Sequence, residues 1–140
     1  MQDVSANVVE RISRDPFTRF LGIELIDLRP GYSRLSMEVT EHMLNFHGIG
    51  HGGAIFTLAD AAFAAAGNSH GQPAVALTMS INYIAAAQQG KRLIAEAKEQ
   101  KLGRSAAFYH IAVKTEEGEL IASCQGVVHR KGQFQYGPKA

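Results

Sequence analysis

The sequence predicts an α+β fold in which antiparallel strands wrap round one long buried helix. Three observations carry that reading. Residues 52–68, GGAIFTLADAAFAAAGN, form an apolar stretch of helical composition in which Asp60 is the sole ionisable group. Two strand-like segments precede it and four follow it. A helix without a polar face must be covered nearly all round, and a layer of strands is what the rest of the chain supplies.

The first element is expected within residues 3–20. Val8, Val9 and Ile12 recur at helical spacing there, and Pro16 disfavours helix at the residue before it, so a short amphipathic helix should end near Asp15. LGIELIDL (21–28) and YSRLSMEV (32–39) then read as a hairpin, because Arg-Pro-Gly between them is turn chemistry. Thr40 to Asn45 reads as a loop or a single helical turn before a Gly/His-rich segment. Ala and Leu favour the helix interior at 52–68. GNSHGQP (67–73) supplies a C-cap and a turn, since Pro73 cannot continue a helix. Strands are expected at 74–84, 92–100, 105–115 and 119–130, the last two flanking the turn at Glu116 to Gly118. The tail GQFQYGPKA should fray.

Composition narrows the function. One domain spanning residues 1–140 is expected at this length, and a net charge of +1 gives no electrostatic reason to expect nucleic acid or an anionic membrane as partner. The apolar helix is too short, and too interrupted by Thr57 and Asp60, to span a bilayer. A lone cysteine, Cys124, fits a reducing cytoplasm, and MQDVSANVVERISRD carries charges where a signal peptide would need an apolar run. The expected location is cytoplasmic.

Chemistry concentrates in the central segment. Asp60 lies seven residues after Gly53, four after Phe56 and three after Thr57, so these share one helical face. The first-turn amides have no intrahelical acceptor, and Gly52 and Gly53 put no side chain in a ligand's way. Oxyanion donor and carboxylate base on one helix are the parts needed for water to attack an activated carbonyl. The blander reading is that Asp60 caps a neighbouring strand or bonds Thr57. His47 and His51 stand four apart like a metal pair, but they flank Gly48 and Gly50 and lack an acidic third ligand, so no metal is expected; His51 reads better as a helix-entry residue. Cys124 reads as a small core residue, and Phe56 and Phe63 as core or pocket wall.

The segment MLNFHGIGHGGAIFTLADAAFAAAGNSHG (43–71) resembles the hallmark of hotdog-fold acyl-CoA thioesterases of the phenylacetic-acid-degradation branch. Asn45, His51-Gly52-Gly53, Leu58-Ala59-Asp60 and Asn68-Ser69-x-Gly71 match that pattern jointly. The resemblance implies a curved sheet wrapped round the helix, dimers with shared sites paired into homotetramers, and hydrolysis of aryl- or arylacetyl-CoA. It assigns Asp60 as general base or nucleophile, the Gly52 amide as oxyanion donor, and Asn45 as the orienting amide. It also implies a helper hydroxyl, nearest at Thr78 with Ser80 as the alternative. Asn45 and Gly52 would come from one subunit and Asp60 from the other. His51, Gly53 and Phe56 would line the substrate, and Arg92, Lys101 and Arg104 are the candidates for coenzyme A phosphates. Coenzyme A is part of the substrate, and no cofactor is expected. The family's proline-containing step after the third long strand is replaced here by YIAAAQQG (83–90). Two rival readings use the same fold. A hotdog dehydratase or hydratase needs an acid–histidine pair, and no acidic residue partners His51. A non-catalytic acyl-CoA sensor would not need Asn45, Gly52 and Asp60 together.

Overall fold

The computed structural model describes residues 3–132; the expected fraying from Gln133 onward lies outside the described residues. The order is α1 (Ala6–Ser13), α2 (Pro16–Phe20), β1 (Glu24–Arg29), β2 (Tyr32–Glu38), a 3-10 turn (Glu41–Met43), α3 (Gly52–Asn68), β3 (Ala74–Tyr83), β4 (Arg92–Leu102), β5 (Ala106–Thr115) and β6 (Leu120–Arg130). One antiparallel sheet runs β1-β2-β4-β5-β6-β3, and α3 packs across it.

Two expectations need correction. The first helix does end near Asp15, α1 stopping at Ser13, but a second short helix that the spacing does not predict begins at Pro16. Proline's fixed φ and missing N–H suit it to a first helical position, so the residue that ends one helix opens the next. Secondly, α3 is not covered all round within one chain. Gly53, Phe56, Thr57, Asp60, Ala61 and Ala64 are partly or fully exposed, whereas Ile55, Leu58, Ala59, Ala62, Phe63, Ala65 and Ala66 are buried. The sheet covers one side of the helix and leaves a polar-centred stripe open.

Small residues set how closely helix and sheet approach. Ala95, Ala97, Ala107 and Ala122 are completely buried in the strands, matching the buried alanines of α3. Ser33 Oγ on β2 donates to the Ala62 carbonyl at 2.5 Å, so a strand side chain also grips the helix backbone. Phe63 lies edge-on to Tyr109, centroids 5.7 Å apart, directly over Gly126. A β-carbon at Gly126 would stand 2.7 Å from the Phe63 ring. Gly126→Ala should therefore destabilise the fold by about 1–3 kcal/mol, because a fully buried ring cannot step aside; a urea denaturation curve measures it.

The far end of α3 is fastened by polar groups. Ser69 Oγ donates to Ala66 O at 2.6 Å and accepts from Gly31 N at 2.8 Å, tying the β1–β2 turn to the helix end. Glu99 receives the Tyr109 hydroxyl at 2.9 Å and lies 2.7 Å from His70 Nε2. Tyr109 is wholly buried, and Glu99 supplies the partner its hydroxyl requires. The opposite face of the molecule is less finished. Among the described residues β3 pairs only with β6, and Val75, Leu77 and Tyr83 along it are about half exposed (48%, 59% and 53%).

Candidate active site

The site is built from the first turn of α3. The loop before it is held by a bridge between Leu44 and Gly50, and by bonds from Gly50 N to Ala87 O at 2.7 Å and His51 N to Met43 O at 2.6 Å. Gly48, at φ +79°, takes the left-handed conformation that glycine adopts without strain. Asn45 closes the loop from inside: its Oδ1 accepts from His47 N at 2.9 Å and Ile49 N at 3.3 Å. Its carbonyl oxygen is thus occupied, and what Asn45 can offer a ligand is its NH2 group, a donor.

The donors at the helix start can be accounted for one by one. Ala54 N and Ile55 N both reach His51 O, at 3.0 and 3.2 Å. Gly53 N donates to His51 Nδ1 at 2.8 Å, which makes His51 the N-cap. Among the described residues, the Gly52 N–H alone of these first-turn donors has no acceptor. It stands at the positive end of the helix dipole, where developing negative charge is stabilised. His51 therefore acts through the backbone, with Nδ1 as an acceptor, and the Gly53 amide is not available to a ligand.

Asp60 lies further along α3, and its carboxylate has no hydrogen-bond or ion-pair partner among the described residues. Thr57 does not satisfy it, because the Thr57 hydroxyl donates back to Gly53 O at 2.7 Å. The structure therefore does not support the bland alternative of a bond between Thr57 and Asp60. Burial, and then the neighbouring Asp15 carboxylate, raise the Asp60 pKa above the ordinary carboxylate value. Asp60 opens into a cleft of about 910 Å³ between α3 and the α1–α2 segment, whose walls include Ile12, Asp15, Phe17 and Ala64. An unpaired carboxylate in a partly desolvated cleft is poised to take a proton or attack a carbon.

Gly52 and Asp60 do not converge within one chain. Eight residues of α-helix rise about 12 Å, more than a single reacting carbonyl can bridge. Asn45 belongs to the Gly52 end.

Other expected site residues are scattered. Thr78 and Ser80 pair with Val127 and Gln125, whereas the core face of the sheet carries the pairs Ile81–Cys124 and Tyr83–Ala122. Alternation therefore turns both hydroxyls to the sheet face away from α3, and neither approaches Asp60 in its own chain. A bulge at Leu77 shifts the register just ahead of them. The basic residues do not form one patch either. Arg92 begins β4 and donates to Ser36 Oγ at 3.2 Å. Lys101, nine residues on, is about 30 Å away along the strand, and only Arg104 shares its end. Arg130 braces that turn by donating to Gly103 O at 2.8 Å. Phe56 is half-buried on the open stripe of α3 and Phe63 is core. Cys124 is buried, its thiol pushed up to about 11 by desolvation, which makes it a poor nucleophile.

Sequence reasoning missed two residues. Asp15 faces the Asp60 cleft from the start of α2, and nothing in its spacing marks it. Tyr83 lies over the helix start: its hydroxyl donates to Gly52 O at 3.1 Å. Parity with Met79 and Ile81 could have put it on the core face of β3.

Comparison with known proteins places the chain in a family. Residues 47–122 match the thioesterase superfamily. The acyl-coenzyme A thioesterase PaaI of Escherichia coli is 36% identical over 118 residues, 84% of each chain. The solved structure of that organism's PaaI protein, from its phenylacetic acid degradation operon, superposes with a TM-score of 0.89 over 94% of this chain and 99% of its own. The TT0310 protein of Thermus thermophilus is 42% identical, with a TM-score of 0.81 over 84% of this chain and 99% of that one. A hypothetical thioesterase of Streptococcus pneumoniae solved with coenzyme A is 27% identical, with a TM-score of 0.76 over 79% and 90% of the two chains. The curved sheet around α3 is the hotdog fold these relatives share.

Proposed function

Because the chain belongs to the thioesterase superfamily, we propose that it hydrolyses aryl- or arylacetyl-CoA thioesters to the free acid and coenzyme A, in a site completed by two subunits. The observation that carries this reading is the pair of unpartnered groups on α3: the Gly52 N–H at its start and the Asp60 carboxylate two turns on. Each has the chemistry that thioester hydrolysis requires, and one chain holds them too far apart to act together.

In this mechanism the Gly52 N–H of one subunit receives the thioester carbonyl oxygen. It strengthens its hold as that oxygen becomes an oxyanion. The Asn45 NH2 group from the same subunit donates to the carbonyl and fixes its orientation. Asp60 of the other subunit removes a proton from water as the water oxygen bonds to the carbonyl carbon. Collapse of the tetrahedral intermediate returns the electron pair to the carbonyl and breaks the C–S bond. The coenzyme A thiolate leaves and takes up a proton. Direct attack by Asp60, giving an anhydride that water opens, uses the same groups; oxygen-18 transfer into the Asp60 carboxylate in a single turnover separates the two routes.

Two features support assembly into dimers. An apolar ten-residue edge strand such as β3 is a template for pairing with another chain, and a twofold copy would cover it symmetrically. The open stripe on α3 is then available to the partner. Lys101 and Arg104, exposed at one turn, are the better placed of the three basic residues to meet coenzyme A phosphates. The E. coli relative's name and the pneumococcal protein's bound coenzyme A support the choice of a CoA thioester. The test is thiol release from a panel of aryl, arylacetyl, short-chain and long-chain acyl-CoA esters. The reading expects the highest kcat/KM with the aryl or arylacetyl esters, and no thiol release from any of them would overturn it.

A further inference from the structure

We propose that Tyr83 is a positioning residue for the Gly52 N–H, its hydroxyl and the His51 imidazole holding opposite ends of the peptide group between Gly52 and Gly53. This inference rests on the reading of Gly52 as oxyanion donor and adds what keeps that donor in place.

Two consecutive glycines are the most mobile backbone the chain could put at a helix start. Here the peptide group between them is fixed twice. Its N–H end is bonded to His51 Nδ1 at 2.8 Å and its C=O end to the Tyr83 hydroxyl at 3.1 Å. The peptide group before it is held as well, since His51 O accepts from Ala54 N and Ile55 N. The Gly52 N–H belongs to the first of these two immobilised peptide groups and joins the second through the Gly52 α-carbon, so its direction is set before any ligand arrives. The same two rings crowd both glycines. A β-carbon at Gly52 would stand 3.3 Å from the Tyr83 ring, and one at Gly53 would stand 3.0 Å from His51 Nδ1.

The clamp reaches across the fold. Tyr83 ends β3, the open edge of the sheet, and lies 31 residues from Gly52. Burial raises the pKa of its hydroxyl, so at neutral pH it remains a donor. No other hydroxyl on the core face of β3 could replace it, because Thr78 and Ser80 point the other way.

Tyr83→Phe keeps the ring and removes the donor. A fixed oxyanion donor matters most when charge has developed, so its loosening lowers kcat more than it raises KM. The expected result is a five- to tenfold fall in kcat, of the order one neutral hydrogen bond supports, with KM within about twofold of wild type. The acid limb of the pH profile, which reports Asp60, should not move. Amide hydrogen exchange followed by NMR should show the Gly53 N–H exchanging faster than in wild type, a readout independent of turnover. An unchanged kcat, a rise in KM alone or unchanged Gly53 exchange would overturn the proposal. If no thioester of the panel released thiol while Tyr83→Phe still freed the Gly53 amide, the hydrolytic reading would fall and the clamp would stand.

Discussion

Asp60→Asn should lower kcat for thioester hydrolysis by about 10²- to 10⁴-fold, the usual contribution of a positioned general base, with KM little changed. Asparagine keeps the shape of the side chain but can neither accept the water proton nor attack as an anion. The wild-type pH profile carries the same assignment. The Asp60 pKa is raised by burial and by Asp15, and the base must be ionised to act. Activity should therefore rise with pH through an acid limb lying above the ordinary carboxylate range, and that limb should vanish in the variant. Stability runs the other way. A carboxyl group whose pKa is raised by folding favours the folded state only while protonated. Its penalty is absent below the unfolded pKa and grows as pH rises through the folded pKa. At pH 7 the asparagine variant should melt no lower than wild type, which differential scanning calorimetry would show. A variant that is inactive yet at least as stable separates a chemical role from a structural one.

Gly52→Pro is the second large effect. Proline removes the N–H without breaking any bond that this N–H makes, because that donor has no acceptor among the described residues. Gly52 is the first residue of α3, the helical position proline tolerates best. His51, at φ −62° and ψ 136°, already has the extended conformation that a residue before proline prefers. The Tyr83 ring must yield by a few tenths of an ångström, a small movement for a half-exposed side chain. Helix content by circular dichroism should be retained while kcat falls about 10²- to 10³-fold, the loss typical of removing one oxyanion donor. Wild-type turnover in a folded Gly52→Pro protein would remove Gly52 from the mechanism.

The parts of this protein that a sequence shows best are those set by local pattern. The bounds of α3 come from a run of helix formers opened by His51 and closed by Ser69, Gly71 and Pro73. The strands come from alternation, and the hairpin turn from Arg-Pro-Gly. Asp60 stands out because a charge inside an apolar helix needs a reason. Register, by contrast, is a tertiary property. The bulge at Leu77 and the pairing with β6 decide that Thr78 faces away from α3, and neither is encoded in residues 74–84 alone. Arg92 and Lys101 are nine residues apart in sequence, but a strand carries them far apart. The open stripe on α3 could not be told from a buried one, because alanine and phenylalanine suit either setting. Tyr83 and Gly52 are brought together by the path of β3, which no spacing rule anticipates.

The central claim is that the Gly52 amide of one subunit and the Asp60 carboxylate of another act on one thioester. Co-expression of Asp60→Asn and Gly52→Pro chains under two different affinity tags, followed by purification through both, isolates the mixed dimer. In that dimer one of the two sites combines an intact Gly52 with an intact Asp60, and the other has lost both. Turnover should return to about half the wild-type value per dimer, as twofold symmetry requires, although each parent alone is nearly inactive. A mixed dimer as inactive as its parents would contradict a site shared between subunits.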